Sequence, residues 1–510
     1  MYTRFGRTAV LLTQIWLPTT LAQALGTWSE VINFPVIPVG AYVVPEAPSS
    51  FRMMVYSAWS PNSFGGERGY TQFAEFNFNT GTVSERQVSN TNHDMFCPGM
   101  NSLSDGRLII TGGSNAEKTS IYDPATNQFA SGADMNIKRG YQASALLSNG
   151  KVFTIGGSWS GPLGGKMGEI YNPTTNTWTV LPGAAVEPML TNDKGGIFHQ
   201  DNHAWLFPWK NGSVLQAGPS KAMNWYYTDG TGGVSPAGIR DADNDAMCGV
   251  NVMYDVGKIF SAGGSHDYGD SPALSVGHLI SISDVGAPAT VEQLPDMHHK
   301  RAFANVVVLP DGKSLITGGQ EVAHGFTDDE AVLEPELFDP VTKNYTLLAP
   351  ATIPRNYHST SLLLPDGRVF SGGGGLCYDS GAGESIPCHN TADHPNAQIF
   401  TPPYLTTGAP RPVISQVVEG LSVAPGGQIK ITMEGSTAGV TFALLRIGSS
   451  THSLNTDQRR IPLTPQLVGD NDVTLPVLGD SGIMLPGAWY LFAVSAAGVP
   501  SVARTIFVTL

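Results

Sequence analysis

The sequence predicts an all-β protein in two parts, a closed ring of repeated β-sheet blades followed by a β-sandwich. Three observations predict it. The 510 residues include 59 glycines and 36 prolines, above ordinary usage and without a Gly-X-Y period, which calls for many turns between short strands. Double glycines recur after apolar, β-rich runs through most of the chain. Beyond ThrProProTyr (401–404) the glycine pairs stop, while alternating strands such as GQIKITME and WYLFAVSAAG continue.

Residues 1–24 read as a signal peptide. Arg4 and Arg7 form a basic start, Thr8 to Leu21 a mostly apolar stretch, and Ala22-Gln23-Ala24 a small-residue cleavage site. Gln14 and Pro18 interrupt the run, which counts against a membrane anchor. The mature protein is therefore expected to be secreted and extracellular. Repeat units follow over 25–400. Their first small residues are Ser57, Gly112, Gly156, Ala217, Gly263, Gly318 and Gly372. Most units open on a tight turn, as at Asp105-Gly106, Asn149-Gly150, Asn211-Gly212, Asp311-Gly312 and Asp366-Gly367. Several run on into an aromatic strand and a second turn, as in IYDPATNQF (121–129), IYNPTTNTW (170–178) and LFDPVTKNY (337–345). Strand, turn, Gly-Gly, strand and turn at roughly 50-residue spacing is the pattern of kelch-type propeller blades, and seven units close one ring. Residues 401–510 suit a β-sandwich resembling the immunoglobulin fold.

The charge balance excludes several partners. A net charge of −14 repels nucleic acid and anionic membrane. No later segment is long and apolar enough to span a bilayer. No exposed repeat edge is evident, so a monomer is expected. Cys377 and Cys388 stand close enough in sequence to close a small disulfide loop in an oxidising compartment. Cys97 and Cys248 then need separate explanations. Asn211-Gly-Ser and Asn344-Tyr-Thr are N-glycan acceptor sequences.

In a propeller, the innermost strand of every blade runs beside the central channel, so one register position per repeat converges on the axis. Nine residues before the turn glycine stand Cys97, Tyr141, His203, Cys248 and Phe303. Tyr357 stands ten before Gly367, which fits the same register if Pro365 is an extra residue. ArgGlyTyrGln (139–142) and ArgAsnTyrHis (355–358) share a context. Two tyrosines, a cysteine and His358 can therefore meet at one mouth of the channel, a combination that suggests covalent chemistry rather than a disulfide.

The strings HDMFCPG (93–99), RGYQ (139–142), GGSWSG (156–161), DNHAW (201–205), AMNWYYT (222–228), YHS (357–359) and THSLNTDQRRIPL (451–463) resemble the copper-radical oxidases of the galactose oxidase type. The resemblance covers nearly the whole mature chain. It implies one copper ion held by Tyr141, Tyr357, His358 and His452, the last delivered into the channel by a loop of the sandwich. It also implies a thioether between Cys97 and Tyr141, a self-derived radical cofactor over which Trp159 stacks. Two imidazoles, two phenol oxygens and an open position suit tetragonal copper better than tetrahedral zinc.

The implied reaction converts a primary alcohol to an aldehyde and dioxygen to hydrogen peroxide. Copper takes one electron and the tyrosyl radical the other, so no dissociable organic cofactor is required. Tyr357 is the implied general base, and the Tyr141 radical removes a hydrogen atom from the carbon. A secreted peroxide-consuming enzyme is a partner that fits this product.

Each of these residues also has an ordinary reading. A lone Cys97 is a buried thiol, Tyr141 and Tyr357 are channel-lining aromatics, and His358 and His452 are solvated. Cys248 reads as an inert buried thiol, His203 as a packed channel residue, and AspAspGlu (328–330) as a solvated loop. The resemblance puts Phe64, Trp159, His199 and Phe326 around the substrate. His199 and Gly269 align with an arginine and a glutamine that bind the sugar in galactose-specific members. Losing a multidentate guanidinium and an amide removes directional hydrogen bonds, so broad aryl or aliphatic alcohol specificity is expected. Two alternatives stand beside this reading. One is a galactoside or oligosaccharide 6-oxidase with the same chemistry. The other is a non-catalytic kelch binding module, which gives no reason for Cys97, Tyr141, Tyr357, His358 and His452 to coexist.

Overall fold

Each predicted repeat folds as an antiparallel meander, and the second is representative. Its strands Gly99–Ser102, Leu108–Thr111, Thr119–Asp123 and Gln128–Ser131 pair in sequence order. The Asp105-Gly106 turn joins the first two, with Gly106 at φ 85° and Leu103 N donating to Arg107 O at 2.7 Å. The aromatic IYDPATNQF segment supplies the third and fourth. The computed structural model describes residues 24–379, 392–467 and 469–510. The leader up to residue 23 and Cys388 lie outside the described residues, and so does the Cys377–Cys388 pairing.

Seven such blades form among the described residues. Their first strands are Gly40–Val43, Gly99–Ser102, Ala143–Leu146, Leu206–Pro208, Val250–Asp255, Asn305–Val308 and Ser359–Leu363, and most neighbouring first strands adjoin around the axis. All seven small residues read from the sequence fall at the ends of second strands.

The backbone requires the glycine pairs. Gly112 and Gly113 take φ of 65° and 97°, a region that side chains rarely adopt, and a Cβ on Gly113 would collide with the Phe96 carbonyl. The pairs also stitch blades together. Gly113 N donates to Arg139 O (3.0 Å), Gly264 N to Arg301 O (2.7 Å) and Gly319 N to Arg355 O (2.8 Å). Each of these buried arginines then clips its own blade. Arg139 donates to Gly156 O at 2.9 Å, Arg301 to Gly318 O at 2.8 Å and Arg355 to Gly373 O at 3.0 Å.

The ring closes on itself through the start of the chain. Thr27–Trp28 forms the outer strand of the seventh blade, antiparallel to Asn396–Thr401, and Ile32–Asn33 pairs with the same strand. Closure of this kind removes the exposed edge that an open ring would present.

Among the described residues the sandwich has a four-stranded and a five-stranded sheet. Residues on their inner faces, such as Ile431, Leu444, Val473 and Trp489, join one apolar cluster with Trp205, Trp209 and Trp225 of the fourth repeat. The two parts thus share a core. Ser449–Thr451 leaves the sandwich altogether and pairs antiparallel with Gly40–Val43, with Thr451 opposite Gly40. It also adjoins the first strands of blades two and seven, so it lies inside the channel. Among the described residues no helix is long and apolar enough to cross a membrane.

A buried ion pair fixes this inserted strand. The Asp457 carboxylate accepts from Arg446 (2.6 Å), Ser449 Oγ (2.8 Å) and the Ser102 backbone N–H of blade two (2.8 Å). Arg446 and Asp457 side chains are 0% and 1% exposed. Arg446→Leu leaves that carboxylate buried and uncompensated, which costs about 3–5 kcal/mol. The expected result is a lowered thermal unfolding midpoint with early loss of tertiary near-ultraviolet dichroism.

Candidate active site

The residues leading into the first strands share a left-handed backbone. Cys97, Tyr141, His203, Cys248 and Phe303 take φ of 61°, 64°, 53°, 53° and 60°. Successive members are linked: Tyr141 N donates to Cys97 O at 2.9 Å and His203 N to Tyr141 O at 2.9 Å. In blade seven the left-handed residue is His358, at φ 69°, and not Tyr357. The placement of an extra residue at Pro365 is therefore corrected. The Leu364–Arg368 turn has the same hydrogen bonding as Leu309–Lys313, whose Pro310 occupies the same place. The extra residue lies earlier, between Arg355 and the strand. Blade seven consequently presents two side chains, Tyr357 and His358, where other blades present one.

His452 reaches the same place from the sandwich. It sits in a two-residue hairpin turn, with His452 and Ser453 at φ 52° and 73° and Thr451 and Leu454 bonded both ways at 3.0 and 2.8 Å. Left-handed geometry at both central residues is the tight-turn form that suits a twisted hairpin. Its Nε2 lies 3.2 Å from Cys97 Sγ, and Nδ1 lies 2.6 Å from the Thr451 hydroxyl. The ligand atoms of Cys97, His358 and His452 all fall within 4.8 Å of one another. The Tyr141 and Tyr357 hydroxyls share a short hydrogen bond, and Tyr268 OH lies 2.7 Å from Tyr357 OH.

This donor set fits a metal ion. His358 Nδ1 lies 2.6 Å from the Gly375 carbonyl, which can only accept, so Nδ1 carries the proton and Nε2 the lone pair. That Nε2 is buried with no hydrogen-bond partner among the described residues. Burial holds the His358 pKa down at about 3, and burial, then His358 and His203, hold His452 well below its ordinary value. Both imidazoles are neutral, as ligation requires. Burial foremost raises Tyr141 and Tyr357 well above the phenol range. A dication inverts that preference, and two ionised phenols balance its charge, which a dry site tolerates best.

Aromatic rings surround the cluster. Trp159 stacks on Tyr141 with centroids 4.7 Å apart and planes 27° apart. Phe64 stacks on Phe96 at 4.3 Å and faces Phe326 at 6.0 Å. Phe326 presents an edge to Tyr357 at 5.2 Å and to His358 at 5.7 Å. His199 stands one layer back: it stacks on Tyr268 at 4.8 Å, with Nδ1 3.1 Å from Asp193 Oδ1. His203 is a buried channel residue, its Nε2 3.2 Å from Tyr268 OH. Cys248 is a buried thiol. The solvated reading of the 328–330 run fails at Asp328. Its carboxylate accepts from His394 Nε2 at 3.0 and 3.1 Å and from Asn356 Nδ2, while Asp329 and Glu330 are exposed.

Sequence reasoning missed Tyr268 and Phe96. Phe96 adjoins Cys97 within the motif already noted. Tyr268 lies in the loop after Gly263-Gly264 of the fifth repeat. The loops that leave the second strands carry Phe64, Trp159, Tyr268, Phe326 and Tyr378 to one mouth, because the end of a second strand lies beside the start of a first.

Comparisons with known proteins agree with this architecture. The family model "Galactose oxidase-like, Early set domain" matches residues 411–508, "Glyoxal oxidase N-terminus" matches 242–379 and "Kelch motif" matches 139–183. Galactose oxidase of Gibberella zeae is 48% identical over 503 residues, covering 96% of this chain and 72% of that protein. Aldehyde oxidase GLOX of Vitis pseudoreticulata is 28% identical, covering 81% of this chain and 82% of that one. A solved structure of a novel fungal alcohol oxidase of the AA5 family, in complex with copper, is 44% identical with a TM-score of 0.89, covering 95% of this chain and 100% of that one. Identity near one half across nearly the whole sequence, on a shared fold, makes the chain a member of the galactose oxidase-like family of copper-radical oxidases.

Proposed function

We propose that this chain oxidises primary alcohols, RCH2OH, to aldehydes while reducing O2 to H2O2. One copper ion would be held by Tyr141, Tyr357, His358 and His452, with Cys97 joined to Tyr141 through a thioether. The observation that carries the reading is the convergence of four segments, from three blades and the sandwich, on one buried cluster ending at His358 Nε2, which has no hydrogen-bond partner among the described residues.

The bound copper supplies a Lewis-acid position for the alcohol and one of the two electron acceptors. Everything else falls to the chain. Tyr357 oxygen takes the hydroxyl proton, and Tyr268 OH at 2.7 Å orients that oxygen. The Tyr141 oxygen, as a radical, takes a hydrogen atom from the carbinol carbon, and its ring electronics are set by the sulfur. Trp159 over the ring excludes water from it. Phe64, Phe96 and Phe326 form apolar walls, which favour aryl and aliphatic alcohols over a sugar. The 1–24 leader and the exposed sequons at Asn211 and Asn344 support action outside the cell.

Peptide mapping before and after aerobic Cu(II) loading tests the cofactor. The expected result is a loss of two hydrogens that joins the Cys97 and Tyr141 peptides. Copper-loaded protein with those peptides unlinked overturns the radical reading and favours a binding module. Tyr357→Phe should retain the link while kcat/KM falls about 10²–10⁴-fold, read by peroxide release. In the unsubstituted enzyme, kcat/KM for benzyl alcohol should exceed that for galactose by at least about tenfold. The reverse order returns the substrate to the galactosides.

A further inference from the structure

Phe326 holds an unfavourable conformation beside the cluster. Its φ is 64°, in the left-handed region that a bulky side chain adopts only when its surroundings impose it. Its ring stacks on Phe64 and meets Tyr357 and His358 in edge contacts, so its position decides how wide the approach to those groups is.

Two anchors impose that conformation. Gln320, fully buried, donates from Nε2 to His324 O (3.2 Å), Thr327 O (3.1 Å) and Asp329 O (3.0 Å), which gathers the loop on itself. Asp328 ties the gathered loop to the rest of the site. Its carboxylate accepts from His394 Nε2 through both oxygens and from Asn356 Nδ2, which also donates to Thr327 O at 2.9 Å. Asn356 directly precedes Tyr357. His394 N donates to Gly374 O at 2.9 Å, and the next carbonyl, Gly375 O, is the one bonded by His358 Nδ1. One carboxylate therefore joins the Phe326 wall, the Tyr357–His358 segment and the strand end that orients His358. It touches no group of the buried cluster.

We infer that Asp328 is a positioning residue for substrate selection: it holds Phe326 against the Tyr357–His358 pair and so sets the fit for flat, aryl-substituted alcohols. The inference rests on the alcohol oxidase reading above. Removing the tie frees the wall, so substrates that need a ring seated on Phe326 suffer and short aliphatic alcohols do not.

The test uses full-length, copper-loaded enzyme. In Asp328→Ala the KM for benzyl alcohol should rise about tenfold with kcat within about twofold, while KM for 1-propanol stays within about twofold. Asp328→Asn, which keeps one acceptor oxygen for His394, should fall between. In a Phe326→Ala background the Asp328→Ala effect on benzyl alcohol should vanish, since contacting residues in one pathway are non-additive. Copper content and the Cys97–Tyr141 link should be unchanged. Equal losses on both alcohols, or additive effects with Phe326→Ala, overturn the inference. Calorimetric binding of benzyl alcohol separates the two claims. An idle enzyme whose binding still weakens tenfold in Asp328→Ala loses only the reaction, and one that neither oxidises nor binds alcohols loses both.

Discussion

The structure depends on one insertion: a strand of the sandwich, Ser449–Thr451, hydrogen-bonded inside the propeller channel against Gly40–Val43. A seven-bladed ring leaves an axial space that its own first strands do not fill. Here a hairpin from another domain fills it and brings His452 within 3.2 Å of Cys97. The burial that results is what neutralises the imidazoles and leaves ionisation of the phenols to depend on a bound cation. The shared apolar core and the Arg446–Asp457 pair exist to hold that strand at one height in the channel. A sliding hairpin would move His452 by a whole residue, and the cluster would not form.

The repeat supplies the rest of the precision. Blades two, three, five, six and seven end their second strands on glycines with left-handed φ, and blades two to seven enter their first strands through another left-handed residue. Those two backbone features lie at the same end of the blade. One end of the ring is therefore rich in strained positions and loops, while the other carries ordinary Asp-Gly and Asn-Gly turns. Strain gathered at one end is a common correlate of a working site, and here it has a simple geometric origin. Chemistry-bearing side chains from blades two, three, five, six and seven meet because the repeat gives each the same height.

Much of this was legible from residues alone. Five glycine pairs are forced by close backbone approach, and with Ser57 and Ala217 at the matching positions all seven repeats could be counted. Residues at a fixed distance from the turn glycines identified Cys97, Tyr141 and His203 as neighbours across the axis. Other parts had no local signal. Thr27–Trp28 is too short to show a pattern, and its partner lies at the far end of the propeller. Spacing alone points to Pro365 as the extra residue in blade seven, whereas the matching hydrogen bonds of the two Leu-Pro-Asp-Gly turns place it beside Tyr357. Asp328 sits in an acidic run that looks solvated, and its partners lie 28 and 66 residues away. Carboxylates that work through distant partners are invisible to spacing arguments.

The insertion also bears on how the chain acquires its site during synthesis. Cys97 and His452 are 355 residues apart in sequence, and the outer strand that closes the seventh blade pairs with residues more than 370 positions later. Non-local pairing of this kind folds slowly, because loop entropy is lost before contacts repay it. The ring stays open until Asn396–Thr401 has emerged, and the channel stays unplugged until the hairpin follows. Four of the cluster's residues, in three segments, are thus translated before the fourth segment can cover them. The donor cluster is therefore complete only once the sandwich has folded onto the propeller.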